Sequence, residues 1–222
     1  MNIGAAARAM SNFGISDLRL VNPYPVAFHE ARSAVGASPI LAAAEEYTNV
    51  AEAVADCTLV VGTTAVRHRE LQHQLKPLPQ AASHIRAQLS SGAVALLFGS
   101  EKVGLSNEDL SNCHWLVHIP TRQEHFSMNL GQAVAVCLYE LIRDEKQDPA
   151  KSVECATAAE LERITSSLME ALRESGYMKP AAESTAEMKV RRLVRRLTLQ
   201  AEDAESLLGM LRQMLWKIRS KK

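Results

Sequence analysis

Apolar residues follow two different spacings along this chain. In the first part they form short unbroken runs: Thr58–Thr63 (TLVVGT), Ala93–Phe98 (AVALLF) and Trp115–Ile119 (WLVHI, stopped by Pro120). Runs of that length without polar alternation predict strands buried on both faces. Helical stretches over Leu78–Leu89 and Asn107–Cys113 separate them, and strands alternating with helices predict a parallel sheet. Ahead of these, Asn2 can cap a helix over Ile3–Asn12 that Gly14 ends. Leu18–Val21 predicts a short strand closed by Asn22-Pro23, Ala27–Val35 a helical stretch, Glu45–Thr48 a brief strand and Val50–Ala55 a short helix. Ser127–Arg143 predicts a long helix with few charges and apolar residues on most sides, so it should be buried or lie in a subunit interface. Beyond a polar stretch containing Pro149 the spacing becomes helical. Leu161, Ile164, Leu168 and Leu172 mark one helix, Leu193 and Leu197 a second, and Leu207, Leu208, Leu211, Leu215 and Ile218 a third. The chain therefore divides into an α/β domain over 1–146, a linker over 147–155 and a helical extension over 156–222.

Composition narrows the function classes. The 222 residues are 47% hydrophobic, enough for a real core, and the net charge of +0 argues against a polyanion binder acting through bulk charge. Aromatic content of 5% disfavours a base-stacking sheet. Cys57, Cys113, Cys137 and Cys155 form no CxxC pair and read as reduced, buried thiols. No stretch is long and apolar enough for a bilayer, which leads to the expectation of a cytoplasmic protein. His114 and His118 are four apart on a strand rather than a helix, and no metal constellation forms around them.

Two blocks carry the candidate chemistry. Phe98-Gly99-Ser100-Glu101-Lys102-Val103-Gly104-Leu105-Ser106 follows one strand, and Ile119-Pro120-Thr121 leading to Ser127-Met128-Asn129-Leu130 follows the next. Both open into helices, the place where an open α/β sheet presents ligand loops. Neither matches GxGxxG or GxxxxGK[ST], so a conventional dinucleotide or nucleoside-triphosphate cradle is excluded. Charge is asymmetric in the tail. Lys189, Arg191, Arg192, Arg195 and Arg196 crowd one helix, with further Lys and Arg up to Lys222, opposed only by Glu202, Asp203 and Glu205. Such a helix fits contact with a phosphate backbone.

Asn2–Met10 (NIGAAARAM) with Phe13-Gly14 resembles the first motif of the SPOUT RNA methyltransferases. Phe98–Leu105 resembles their second motif and Ile119–Ala133 their third, in the right order, over residues 1 to about 145. Within that superfamily the chain is similar to the TrmJ type. The shared segments are Asn22-Pro23, Ala34–Ser38, Val60–Ala65 and the helical region from Glu160–Arg163 to Lys189–Leu193. The resemblance implies a trefoil-knotted α/β domain with a parallel sheet, a homodimer, and S-adenosylmethionine as cofactor. It also implies tRNA as substrate, methylated on a ribose 2′-oxygen at the first nucleotide of the anticodon loop. Ribosomal RNA is an alternative substrate, and a non-catalytic RNA- or cofactor-binding protein is the alternative class.

Carried onto this sequence, the motifs assign Arg8, Ser127, Asn129, Asn2 and Glu101 to catalysis. Thr63, Thr64, Ala65, Gly99, Glu101, Gly104, Leu105, Ile119 and Leu130 are assigned to the cofactor, with backbone N–H groups near Leu105 or Leu130 reading the adenine edge. Arg67, Arg69, Lys189, Arg191, Arg192, Arg195 and Arg196 are assigned to RNA. A guanidinium is a poor proton acceptor, so Arg8 is cast as a clamp on the phosphate beside the target ribose, with the 2′-OH proton leaving through that phosphate, Ser127 or water. The chain departs from the pattern in two places. Val66 separates Ala65 from the arginines that follow. The family also carries a strand, interior to its sheet, ahead of the position matching Asn2, where this sequence has only Met1. The expectation is a truncated first strand, seen as a gap or unpaired strand edge near Asn2, with Asn2 and Arg8 poorly anchored.

Overall fold

The structure, a computed structural model, describes residues 2–23, 39–65, 72–122, 124, 127–143, 154–178 and 183–220. The expected helix over Ala27–Val35, Arg67, Arg69 and most of the expected linker lie outside the described residues. The chain opens with helix α1 (Asn2–Asn12), whose alanine-rich face buries Ala6, Ala7, Ala9 and Met10. Gly14 ends it at φ +70°, a left-handed conformation glycine adopts without a Cβ penalty. Strand β1 (Arg19–Val21), helix α2 (Pro39–Ala42), strand β2 (Glu45–Tyr47) and helix α3 (Val50–Ala53) follow. Then come β3 (Leu59–Thr63), β4 (Leu75–Pro77), α4 (Leu78–Leu89), β5 (Val94–Leu97), α5 (Asn107–Ser111), β6 (Trp115–His118) and α6 (Leu130–Ile142). Helices α7 (Ala158–Glu174), α8 (Glu183–Arg196) and α9 (Ala201–Arg219) complete the described chain.

Among the described residues every ladder is parallel, as the alternation of strands and helices predicts. The apolar runs form the middle of the sheet, in the order β4-β6-β3-β5. Strand β4 escapes the pattern because Leu75-Lys76-Pro77 has no apolar run. A proline is tolerated there because β4 is an edge strand.

The sheet is in two pieces. β1 and β2 pair only with each other, apart from the four-stranded sheet. Among the described residues, the edge of β1 away from β2 and the edge of β5 away from β3 carry no ladder. The expected break near Asn2 is present, but the expected looseness of Asn2 is not. Its side chain donates to Glu101 Oε2 and accepts from Asn129 Nδ2 at 3.2 Å, so the start of α1 is tied to two loops.

Helix α6 starts later than Ser127. Asn129 caps it, its Oδ1 accepting from Gly131 N–H at 3.0 Å, so residues 127–129 belong to the loop before the helix. Gly131 lies against α1: a Cβ there would stand 2.7 Å from Ala5 Cβ. Small residues thus let the two helices touch.

The C-terminal helices bury Leu161, Ile164, Val194, Ala204 and Leu211 against one another. They are also joined to the α/β part. Ala158 N–H donates to Cys57 O at 2.7 Å, Ala159 N–H to Ala55 O at 2.9 Å, and Ala158 packs in the cluster with Val50, Val54 and Val60.

Candidate active site

The loops after β3, β5 and β6 meet at the carboxyl end of the sheet and enclose a cavity of about 340 Å³. Thr63, Thr64, Ala65, Gly99, Glu101, Gly104, Leu105, Ile119 and Leu130, every residue assigned to the cofactor, line it together with Ser127. Phe98, Ser100, Lys102, Val103, Leu110, Val117, Thr121, Met128 and Ala133 also line it. Most of these sit inside the quoted motif blocks, so membership of the blocks was their signal in the sequence. Its volume is in the ~300–1,000 Å³ range of small-molecule sites.

The loop after β5 is shaped by its two glycines, for different reasons. A Cβ on Gly99 would stand 2.1 Å from the carbonyl carbon of Gly104 and 2.2 Å from Leu105 N, so backbone passes directly over it. Gly104 has open space around its Cβ position but sits at φ +71°. Its N–H closes the turn on Ser100 O at 2.8 Å. Ser106 then caps α5 through a reciprocal pair with Asp109: Ser106 Oγ accepts from Asp109 N–H at 3.1 Å, and Ser106 N–H donates to Asp109 Oδ2 at 2.8 Å. The loop is held at both ends by its own hydrogen bonds. Thr63 Oγ1 donates to Leu97 O at 2.8 Å, locking the end of β3 to the end of β5.

Glu101 is the hub of the polar side. One carboxylate oxygen accepts from Asn129 Nδ2 at 3.1 Å and from Leu130 N–H at 3.2 Å, and the other accepts from Asn2 Nδ2. The N–H of Leu130 is therefore satisfied by a side chain, which corrects the expectation that it faces a ligand. Glu101, Asn2 and Asn129 act as a strut joining the start of α1, the loop after β5 and the cap of α6. Arg8 lies on the exposed side of α1 and does not line this cavity in its own chain. Ser127 does line it, and its hydroxyl makes no hydrogen bond among the described residues.

The basic helix divides. Arg191 and Arg195, both assigned to RNA, are interior, which corrects that assignment. Arg191 donates to Glu162 at 2.8 Å, to Glu187 at 2.6 Å and to Ser111 Oγ at 3.3 Å, bridging the helical bundle to α5. Arg195 is 1% exposed, 3.8 Å from Glu162, and burial pushes its guanidinium down to about 10. A basic heptad-like run hides this split because charge alone does not say which face packs. Lys189 and Arg196 are exposed and Arg192 half-buried. Arg192 and Arg196 lie close enough to hold His73 down at about 4, after the larger effect of its burial.

Burial pushes the Cys57 thiol up to about 11 and those of Cys113 and Cys137 to about 12, which keeps these three protonated. Among the described residues no group of His, Cys, Asp and Glu could hold a metal ion, and no helix is long and apolar enough to cross a membrane.

Residues 1–139 match the SpoU rRNA Methylase family. The tRNA (cytidine/uridine-2′-O-)-methyltransferase TrmJ of Sodalis glossinidius (strain morsitans) is 38% identical over 95% of this chain and 85% of its own length. The protein of the same name from Klebsiella pneumoniae subsp. pneumoniae is 36% identical over 95% of this chain and 89% of its own. Among solved structures, TrmJ from Z. mobilis ZM4 superposes with a TM-score of 0.81 at 36% identity, covering 96% of this chain and 93% of that one.

Proposed function

As the chain belongs to the SpoU rRNA Methylase family, we propose that it transfers a methyl group from S-adenosylmethionine to a ribose 2′-oxygen of tRNA, at the first nucleotide of the anticodon loop. One observation carries the reading: the nine residues assigned to the methyl donor line a single cavity together with Ser127. The relatives named TrmJ, matched over most of their own length, support tRNA as the substrate.

The cavity suits the donor on structural grounds. Gly99 lets the backbone of Gly104 and Leu105 pass directly over it, which shapes the loop on the cavity wall, and Leu105, Leu110, Val117 and Ile119 give the cavity apolar walls. When bound, S-adenosylmethionine supplies an electrophilic methyl group and its own leaving group. The protein's part is to position the nucleophile and help remove its proton. Arg8 grips the phosphate next to the target ribose with its planar fork, and the hydroxyl of Ser127 on the cavity wall is a proton-handling group for the 2′-oxygen. Glu101 is a positioning residue: through Asn2 it fixes the start of the helix that carries Arg8.

The working unit in this reading is a homodimer through α6 and α1, in which Arg8 serves the cavity of the partner subunit. Tyr139, 54% exposed on a mostly apolar helix, and the outward placement of Arg8 support it.

The test is transfer of tritiated methyl to unmodified tRNA, with ribosomal RNA alongside, and mapping of the modified nucleotide. Label on a ribose of tRNA is the expected result. Label on ribosomal RNA alone overturns the substrate, and donor binding with no transfer to either RNA overturns the enzyme. Gly99→Ala is expected to lower donor affinity more than tenfold. Arg8→Ala should abolish transfer while donor affinity, read by calorimetry, stays within twofold.

A further inference from the structure

Helix α5 (Asn107–Ser111) is a single turn, too short to keep a helical shape without support from outside. It lies between the loop that follows β5 and the C-terminal helices. At its start, the reciprocal pair of Ser106 and Asp109 ties it to the last residue of that loop. Leu110 lines the cavity and packs with Leu105, Cys113 and Leu116. At its end stands the buried Ser111, whose Oγ donates to Glu108 O at 2.7 Å and accepts from Arg191 Nη1 at 3.3 Å. The imidazole of His73 also hydrogen-bonds the Leu110 carbonyl.

Arg191 is itself held rigidly. Its Nε and Nη2 donate to the two carboxylate oxygens of Glu162 at 2.9 and 2.8 Å, a planar bidentate pair, and Nη2 also reaches Glu187 at 2.6 Å. Nη1 is left for Ser111. Acceptors on α5, α7 and α8 thus meet one buried guanidinium. Arg195, one turn further along α8, is 3.8 Å from the same Glu162, and its charge acts on Cys113 and His114, which follow α5. Joining the bundle to the sheet does not require Arg191, because the backbone bonds from Ala158 and Ala159 to Cys57 and Ala55 already do so. What Arg191 adds is a hold on the one turn that carries part of the cavity wall.

We propose that Arg191 is a positioning residue for the methyl donor: clamped by Glu162 and Glu187, it fixes α5 through Ser111, and with α5 the side chain of Leu110 and the end of the loop after β5. The inference rests on the reading of that cavity as the donor site. Arg191 does not line the cavity, so donor affinity depends on a side chain that touches no donor. The helical extension then belongs to the donor site as well as offering a basic surface.

The test compares the full 222-residue chain with Arg191→Ala, Arg191→Lys, Ser111→Ala and the double variant Arg191→Ala/Ser111→Ala. Ile164→Val, which trims a buried side chain in the core of the bundle, is the control for lost stability alone. Two quantities are read well below every melting temperature: amide exchange without donor, and affinity for S-adenosylmethionine by calorimetry. The amides of Leu110 and Cys113, bonded to Ser106 O and Leu110 O, should exchange about tenfold faster in Arg191→Ala. Arg191→Ala and Ser111→Ala should each bind the donor about three- to tenfold more weakly, and the double variant no more weakly than the worse single one. Arg191→Lys should recover little, because a single ammonium does not replace the planar fork. Ile164→Val should stay within about twofold of the parent. In turnover, the KM for the donor should rise in the Arg191 and Ser111 variants while kcat at saturating donor holds. Unchanged exchange at Leu110 and Cys113 overturns the clamp, whatever the cavity binds. Faster exchange with unaltered donor affinity overturns the positioning role. So do additive losses in the double variant, full recovery by Arg191→Lys, or an equal loss in Ile164→Val. A parent chain that binds no donor, with exchange still faster in Arg191→Ala, overturns the reading of the cavity and the positioning role with it, and leaves the clamp standing.

Discussion

Strands β3 and β5 are neighbours with the same kind of sequence and opposite fates. Each is a short apolar run and each pairs in parallel, residue for residue, from Leu59 opposite Val94 to Gly62 opposite Leu97. β3 has β6 on its other side and is sealed there: Val61 pairs with Trp115, and Val60 and Val61 are 0% exposed. β5 has a cavity on its other side, and none of its four residues is fully buried. An apolar run thus records the capacity to be an interior strand. Burial itself is conferred by the neighbours.

The seal over β3 extends past the ladder. His114 N–H donates to Val60 O at 2.8 Å, and Val60 N–H donates to His114 Nδ1 at 3.1 Å. A second proton on that ring would put a donor against a donor. Burial first, and then the charge of Arg195, push the imidazole down to about 3.

The largest contrast should come from truncating the same side chain on the two sides. Leu116→Ala on β6, where the leucine is 0% exposed, is expected to cost about 2–5 kcal/mol by denaturant unfolding. Leu96→Ala on β5 should stay below about 2 kcal/mol, since water already reaches its surroundings. Equal costs would break the comparison.

Next comes acid. The unfolded chain takes up a proton at His114 near pH 6.5 that the folded chain refuses until about pH 3. Stability held above pH 6.5 is therefore lost progressively as pH falls toward 3, by an amount on the order of a few kcal/mol. His73, held down at about 4, adds to the same acid limb. His114→Gln should flatten part of that limb while His73 supplies the rest, read from unfolding midpoints across this pH range. An unchanged slope would mean the seal over β3 is not set by the neutral ring.

A smaller effect is expected at Gly62. A Cβ there would stand 2.8 Å from both Cys113 Sγ and Leu116 Cδ2, so Gly62→Ala should cost about 1–3 kcal/mol through overpacking. At the unfilled edge, Ala95→Val is expected to change stability by less than about 1 kcal/mol, because the layer beside it has room. A destabilisation at Ala95 matching that at Gly62 would show that β5 is as closely packed as β3.

Much of the site was legible in the chain. The blocks Phe98–Ser106 and Ile119–Leu130 sit at the ends of apolar runs, and strand ends of a parallel sheet converge by topology, so those residues had to meet. What the helices would do was less legible. Ser127 gives way to Asn129 as the cap of α6 because the Asn129 side chain reaches Gly131 N–H. The side chain of Asn2 could cap its own helix or reach elsewhere; only the approach of Glu101 decides for the latter. The arginines of α8 show the same limit. Lys189, Arg191, Arg192, Arg195 and Arg196 look alike in a charge count, yet Arg191 and Arg195 are interior: Glu162 of α7 meets both, and Ser111 of α5 and Glu187 of α8 itself meet Arg191.

By itself the sequence determined the elements and their class: continuous apolar runs made parallel strands, spaced leucines made helices, and glycines ended turns where φ had to be positive. These are properties of a few consecutive residues. Tertiary structure alone decided the exposure of β5, the exposure of Arg8 on α1 and the strut through Glu101. Each depends on groups brought together from distant parts of the chain, and a backbone edge carries no mark in its own residues of whether another strand lies against it.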